Sequence, residues 1–322
     1  VSRISSGVAR LAFVTTGNPE HPWRLVGITG QQDNSNAEAY PDHTLFDLDT
    51  FLTDPGFGYP IRMFQTTFVN DSQSIGFCPA DGLLYHTAGS ESYSNNPLRQ
   101  GHDQDGPTIF GVGFQDSQYM EAINVDTESA TAIYNAAPCP NPDPTLPCFG
   151  LSAPRPSWVL PTERRDHTQT GGEYRARGVD EYHAVRGMAW SAAKNAFYAA
   201  DEYGIFRISR NGDCKFIARP GFPNDGKTDV AKAVLVIPER LLIGHRNGVN
   251  NVGYMMEIDA ETGQLARSVT LQYPEGGSEP LDGFGGLLGL AQHPETLTVY
   301  GVRQTESALT RELVTIDTDT GA

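Results

Sequence analysis

Short apolar stretches recur along the chain, and each has the length of a β-strand. In the last part of the sequence, Gly286–Ala291 and Leu297–Val302 flank a turn at His293–Glu295, and Leu313–Ile316 follows after a loop. Apolar stretches of about four to eight residues between Gly, Pro and Asp are typical of β-strands. This region therefore predicts three consecutive antiparallel strands.

The same order of strands recurs five times. Each repeat has a small-residue apolar strand, a turn, a second strand with Tyr or Leu, a variable loop, a third strand and a fourth strand. The predicted first strands are Val8–Phe13, Ser74–Cys78, Gly187–Trp190, Ala233–Val236 and Gly286–Ala291. Four antiparallel strands with a small-residue inner strand are typical of a β-propeller blade. The sequence predicts an all-β, single-domain propeller over 1–322 with five blades, and six or seven blades are the alternatives.

The two ends of the chain resemble two halves of one hairpin. Leu313–Ile316 is followed by the polar turn Asp317–Gly321 and then by no further strand, whereas Val1–Gly7 reads as a strand. We therefore expect the N-terminal strand to complete the last blade and to close the ring.

A proline-rich segment interrupts the repeats at 138–181. It has no four-strand pattern, so we predict an insertion between blades. A degenerate sixth blade in this segment is the alternative.

The repeats resemble those of bacterial secreted β-propeller proteins in the style of the NHL and TolB-like repeats. The resemblance rests on Val299–Val302 and on the sequence LVTIDTDTGA at 313–322, and it covers most of the chain outside 138–181. It implies the fold and leaves the function open, because such propellers act as enzymes, scaffolds and binding modules.

Asp259–Gly263 and Asp317–Gly321 are predicted to be hairpin turns between third and fourth strands. Gly supplies a positive φ there and Asp caps the turn. Calcium loops are the alternative, but such loops need ligands at regular positions through about twelve residues.

The net charge of −16 excludes two classes of partner. A nucleic-acid or anionic-membrane surface would need clustered Lys and Arg. No apolar run approaches the ~18 residues of a membrane helix, so no membrane span is predicted.

The cysteines indicate an oxidising compartment. Cys139 and Cys148 bracket a proline-rich loop and are predicted to form a disulfide, whereas Cys78 and Cys214 either pair or lie buried singly. A first residue Val1, with no Met, fits a processed secretory precursor or a trimmed chain. We expect a secreted, periplasmic or cell-surface protein. The absence of C-x-x-C-H excludes haem c.

Candidate ligands gather on one face of the predicted propeller. Turns between strands one and two and between strands three and four share the turn face; loops between strands two and three and the entries to each blade share the loop face. His86, His183 and His245 fall on the loop face of three different blades and are candidate ligands for a divalent ion, a transition metal or calcium. Other ionisable residues at this face are Arg186, Asp201, Glu202, Asp229, Asp282 and Arg303.

No complete catalytic motif is present, so the sequence favours a secreted or cell-surface binding or structural protein whose partner, protein or small molecule, is unknown. The alternative is a metal-dependent hydrolase of the lactonase or esterase type, in which a bound ion activates water. A glycosidase using Asp201, Asp229 and Asp282 has only their spacing in its favour. The glycines of Gly283–Gly289 open a strand, so no nucleotide site is expected.

Overall fold

The computed structural model describes β-strands joined by turns, and its described residues contain no helix. These described residues are 2–4, 8–29, 44–48, 59–63, 72–88, 119–132, 187–200, 205–211, 214–218, 230–238, 240–246, 253–272, 287–304 and 311–322. The predicted insertion at 138–181 and the predicted disulfide between Cys139 and Cys148 lie outside them.

Within the described ranges the strands form five four-stranded sheets. Sheet 1 contains β2 (Val8–Thr15), β3 (Trp23–Thr29), β4 (Thr44–Asp47) and β5 (Tyr59–Met63). Sheet 2 contains β6 (Ser72–Cys78), β7 (Leu83–Ala88), β8 (Tyr119–Asn124) and β9 (Ser129–Ala132). Sheet 3 contains β10 (Gly187–Ser191), β11 (Ala196–Ala200), β12 (Ile205–Ile208) and β13 (Cys214–Ala218). Sheet 4 contains β14 (Val230–Ile237), β15 (Arg240–Arg246), β16 (Gly253–Ile258) and β17 (Leu265–Thr270). Sheet 5 contains β18 (Leu287–Gln292), β19 (Val299–Gln304), β20 (Arg311–Ile316) and β1 (Ser2–Ile4).

The five predicted repeats coincide with these sheets, and neighbouring strands pair antiparallel in each of them. The boundaries differ by a few residues. For the outer strand of sheet 2, for example, the sequence pattern predicts Thr131–Tyr134, whereas the strand in the structure is Ser129–Ala132. Outer strands are the least apolar of each repeat, so their ends carry the weakest sequence signal.

Sheet 5 combines strands from both ends of the chain. Its order is β1-β20-β19-β18. Ser2 lies opposite Leu313 and Ile4 opposite Arg311. The N-terminal strand thus occupies the outer position that the fourth strand fills in the other sheets.

The core lies between the sheets. The first strands pack in the order β2, β6, β10, β14 and β18, and β18 also packs on β2. Apolar side chains from two adjacent sheets meet at each contact; between sheets 1 and 2, Val26 and Ile28 pack with Leu84 and Ile123. All four of these side chains are fully buried.

The two Asp-to-Gly segments are hairpin turns, as predicted. Asp259 Oδ1 accepts hydrogen bonds from the backbone N–H groups of Glu261 (3.0 Å) and Thr262 (2.8 Å). The glycine that ends this turn, Gly263, has a φ of 69°. Asp317 and Gly321 repeat the arrangement. These bonds lower the pKa of both aspartates, because backbone N–H groups stabilise the ionised carboxylate.

Turns on the turn face also contact the preceding sheet. Arg210, in the turn after β12, donates to Asp81 of sheet 2 at 3.1 Å. Tyr198 of sheet 3 donates to the Ala260 carbonyl in a turn of sheet 4 at 3.3 Å. Arg267 of sheet 4 donates to Asp319 of sheet 5 at 2.9 Å. Three successive pairs of sheets are therefore joined by polar contacts on this face.

Gly321 shows how closely the last turn packs. Its backbone carbonyl accepts a hydrogen bond from the Gln272 N–H at 2.8 Å. A Cβ at this position would lie 2.2 Å from the Thr270 carbonyl oxygen. Only glycine fits against the edge of sheet 4 here, and its φ of 79° favours glycine for a second reason.

In the described ranges, no helix has the length and apolar character to cross a membrane.

Candidate functional site

The most unusual described residues of the core are a histidine and a glutamate on neighbouring strands of sheet 2. His86 on β7 lies directly opposite Glu121 on β8. His86 Nδ1 is 2.6 Å from Glu121 Oε1. The two residues are 1% and 6% exposed, so the pair is buried.

The other ring nitrogen of His86 has no hydrogen-bond partner in the part of the chain that the structure describes. His86 Nε2 is inaccessible to solvent, and none of the residues described in the structure offers it a hydrogen bond. Buried polar atoms are normally satisfied, because leaving one without a partner costs about 1–3 kcal/mol. Such an atom in a native core calls for a ligand, an ion or water.

The pair lies on the face of sheet 2 that packs against sheet 1. Side chains alternate along a strand, so His86 shares a face with Leu84, and Glu121 shares a face with Ile123. Leu84 and Ile123 belong to the apolar cluster between sheets 1 and 2. His86 is near the end of β7, on the loop-face side of that cluster.

The other four sheets fill this position with apolar residues. The register of the strands identifies the equivalent pairs in the other sheets. In sheet 2, the pair His86–Glu121 lies two residues beyond the pair Leu84–Ile123 along β7. The equivalents are Gly27 with Phe46 in sheet 1, Ala199 with Phe206 in sheet 3, Ile243 with Met256 in sheet 4, and Gly301 with Val314 in sheet 5. The fold therefore does not need a polar pair at this position.

The geometry specifies what the imidazole can do. A ring nitrogen that faces an ionised carboxylate carries the proton, and in a neutral ring the other nitrogen then keeps a lone pair. Nε2 of His86 is then suited to bind a metal ion or to accept a proton. A neutral imidazole beside an ionised Glu121 also leaves the buried pair with a net negative charge, which a cation would offset.

Two hydroxyls are buried on the opposite face of sheet 2. Ser74 Oγ and Thr87 Oγ1 are 2.5 Å apart, and both residues are fully buried. In sheet 4 the equivalent positions, adjacent to the same β-bulge, hold Ala233 and Gly244. At these two pairs of positions, sheet 2 is thus more polar than sheet 4 on both of its faces.

Arg303, a second residue singled out from the sequence, is part of an ion pair in sheet 5. Its Nε donates to Glu312 Oε2 at 2.6 Å, and the two residues face each other across β19 and β20. When the sheets are aligned on the β-bulge between their first and second strands, Arg303 occupies the same position as His245 of sheet 4. His86 lies two residues before that position in the second strand of sheet 2.

The structure describes the other predicted site residues only in part. His245 lies in β15 opposite Tyr254, and its side chain is outside the described residues. The following residues are also outside them: His183, Arg186, Asp201, Glu202, Asp229 and Asp282. In the described ranges, no group of three His, Cys, Asp or Glu residues lies close enough together to hold a metal ion.

Cys78 is a buried free thiol, so the single, unpaired alternative for this residue is confirmed. Burial raises the pKa of this thiol, because the thiolate would lose its hydration. Cys78 lies at the end of β6, next to the turn that contains Asp81.

Glu121 is the site residue that the sequence analysis missed. It lies in the stretch Met120–Val125, whose apolar pattern predicts the third strand of this repeat, on the same side as apolar Ile123. Aligning the third strands would have shown Glu121 where Phe46, Met256 and Val314 stand in other repeats. A charged residue at an inward position was the available signal.

Comparisons with known proteins support the fold and leave the activity open. No protein-family model matches the chain, and no curated protein sequence matches it. A glycoside hydrolase family 43 β-1,3-galactosidase, solved with galactodeoxynojirimycin, is similar in structure with a TM-score of 0.51 and 10% identity, over 97% of this chain and 91% of that one. That similarity supports an all-β, propeller-like fold.

Two further structures are similar at a lower level. Glutaminyl cyclase of Myxococcus xanthus gives a TM-score of 0.45 and 10% identity, over 98% of this chain and 96% of that one. A Bacteroides thetaiotaomicron protein of unknown function gives 0.45 and 12%, over 96% of this chain; the chain spans 59% of the length of that protein.

Proposed function

We propose that the five sheets are the blades of a five-bladed β-propeller whose ring is closed by β1. The packing order of the first strands supports this proposal, since it starts and ends at β2. The pairing of β1 with β20 supports the closure, because it joins the first and last segments of the chain in one sheet.

Deleting residues 1–7 tests the closure. The deletion leaves the outer edge of β20, which pairs with β1, without a partner strand, so we expect the melting temperature of the whole domain to fall. Fraying of an ordinary terminus has little effect on global stability. An unchanged melting temperature would overturn the proposed closure. Truncating 321–322 is unsuitable as a control, because Gly321 packs against sheet 4.

For function, we propose a secreted or cell-surface protein that binds a ligand at the loop face and holds a divalent metal ion there through His86. One observation carries this proposal: the buried Nε2 of His86 has no described partner, while Nδ1 is held by Glu121. His183 and His245 are the further candidate ligands, since both are predicted at the loop face of other blades.

Elemental analysis of the purified protein, before and after treatment with a chelator, tests the metal site. We expect a nearly stoichiometric transition metal that the chelator removes and that added ZnCl₂ restores. His86→Ala should abolish this binding. Because that variant leaves Glu121 buried without a partner and can unfold, the double variant His86→Ile/Glu121→Met serves as a folded form without the site. Absence of metal in the unaltered protein, before and after added ZnCl₂, would overturn the proposal.

A metal-dependent hydrolase of the lactonase or esterase type is the second candidate. It is favoured by the same His86–Glu121 pair, because an ion on Nε2 with an open coordination position could activate water. Assaying the zinc-loaded protein with a panel of lactones and aryl esters distinguishes the two functions. Turnover that disappears in His86→Ile/Glu121→Met would establish the enzyme; metal binding without turnover would favour the binding protein.

A further inference from the structure

Glu121 has a specific function in the proposed site. We infer that Glu121 is a positioning residue that holds His86 with its proton on Nδ1, so that Nε2 is presented to a transition metal of the zinc type rather than to calcium or magnesium. This inference rests on the proposed function, and it adds both the class of metal and the residue that selects it.

The first step is the hydrogen bond itself. With Glu121 ionised, its carboxylate only accepts, so His86 Nδ1, 2.6 Å from Glu121 Oε1, is the donor in this pair. A short bond between a buried ring and a buried carboxylate fixes both the tautomer and the orientation of the ring.

The second step is the charge of the buried pair. If His86 were protonated, its Nε2–H would be a buried donor for which no described residue provides an acceptor. If it is neutral, the lone pair on Nε2 lacks a donor and Glu121 leaves a net negative charge. A cation bound to Nε2 would use the lone pair of the neutral ring and would also offset the negative charge of Glu121.

The third step is the preference of the ligand atom. An imidazole nitrogen suits zinc, copper, nickel or iron, whereas calcium and magnesium take carboxylate, carbonyl and water oxygens. The carboxylate of Glu121 is already committed to Nδ1. The pair therefore has the arrangement of a metal-binding histidine with an outer carboxylate partner.

Nitrogen-15 NMR of the histidine rings tests the tautomer without any metal. We expect the His86 ring of the metal-free protein to show a protonated Nδ1 and an unprotonated Nε2, and Nε2 alone to shift on addition of ZnCl₂. The double variant His86→Ile/Glu121→Met assigns the signal by its absence. A proton on Nε2 in the metal-free protein would overturn the inference whether or not zinc binds.

Calorimetric titration with ZnCl₂ and with CaCl₂ tests the selectivity. Glu121→Gln keeps the size of the side chain and removes its charge, and it should weaken zinc binding about 10–100-fold. The matched control is Glu312→Gln, which alters a buried glutamate in sheet 5 and should leave zinc affinity unchanged. Tighter binding of calcium than of zinc, or a change below twofold in Glu121→Gln, would overturn the inference. If the unaltered protein binds neither zinc nor calcium, that result would overturn the proposed function instead.

Discussion

Sheets 2 and 4 differ at one equivalent pair of positions, which is polar in sheet 2 and apolar in sheet 4. In sheet 2, His86 faces Glu121; in sheet 4, Ile243 faces Met256. All four side chains are buried. The strands that carry them have the same order and pairing in both sheets.

The difference supports the function proposed for the polar pair. A buried histidine–carboxylate pair loses hydration that the contact between the two groups barely restores, and replacing a buried charged pair by apolar residues is often neutral or stabilising. Sheet 4 shows that an apolar pair fits this framework. Where one repeat departs from the local rule without gaining stability, a functional site is the expected reason.

Removing one partner should have the largest effect. In His86→Ile the new side chain fills the space, but Glu121 stays buried without its donor, so we expect the free energy of unfolding to fall by about 3–5 kcal/mol. The matched change in sheet 4, Ile243→Val, should cost only about 0.5–1.5 kcal/mol. Urea unfolding measures both. Equal losses in the two sheets would contradict the distinction between them.

Converting sheet 2 to the residues of sheet 4 should restore stability. We expect His86→Ile/Glu121→Met to be at least as stable as the unaltered protein, and up to about 1–4 kcal/mol more stable, because no charge remains in the core. The same variant should bind no zinc. A double variant that is less stable than His86→Ile alone would show that the pair is structural.

The Ser74–Thr87 pair allows a milder version of the same comparison. Thr87→Val leaves the Ser74 hydroxyl buried without its partner, which should cost about 1–3 kcal/mol. Adding Ser74→Ala should recover most of that loss, since sheet 4 carries Ala233 and Gly244 at these positions. Thr131→Val, on the exposed side of sheet 2, is the control and should change stability by less than about 0.5 kcal/mol. If the double variant stays as unstable as Thr87→Val, the hydroxyl pair is needed for packing.

The sequence predicted the repeat far better than it predicted the site. Inner strands such as Leu287–Gln292 were recognisable because small and apolar residues recur there in every repeat. His86 was named as a candidate ligand because it stands at a strand end. Glu121 was missed because its significance depends on register, which brings together two residues 35 positions apart. Neither the pairing of strands nor the unpartnered Nε2 can be derived from composition or spacing.

The smallest expected effect is on the turn face, where Asp81 of sheet 2 and Asp259 of sheet 4 differ in their partners. Burial opposes ionisation of Asp81, but hydrogen bonds from Arg210 and the Tyr85 hydroxyl outweigh it and lower the pKa of Asp81 below its ordinary value of 3.8. Since that pKa is lowered on folding, Asp81 adds stability above about pH 4, and the contribution disappears as the pH falls through its folded pKa.

Arg210→Gln should reduce that contribution by about 0.2–1 kcal/mol, the size of a partly exposed ion pair. The melting temperatures of variant and unaltered protein should therefore differ at pH 7 and converge near pH 2, and salt should narrow the gap at pH 7. For Asp259, backbone N–H groups lower the pKa. Lys194→Gln removes the cation that pairs with Glu261 in that turn, and it should leave the pKa of Asp259 unchanged, because Lys194 is not among the groups that lower it. A gap for Arg210→Gln that persists undiminished at pH 2 would show that Arg210 stabilises the turn through packing on Trp190, 5.9 Å away, rather than through Asp81.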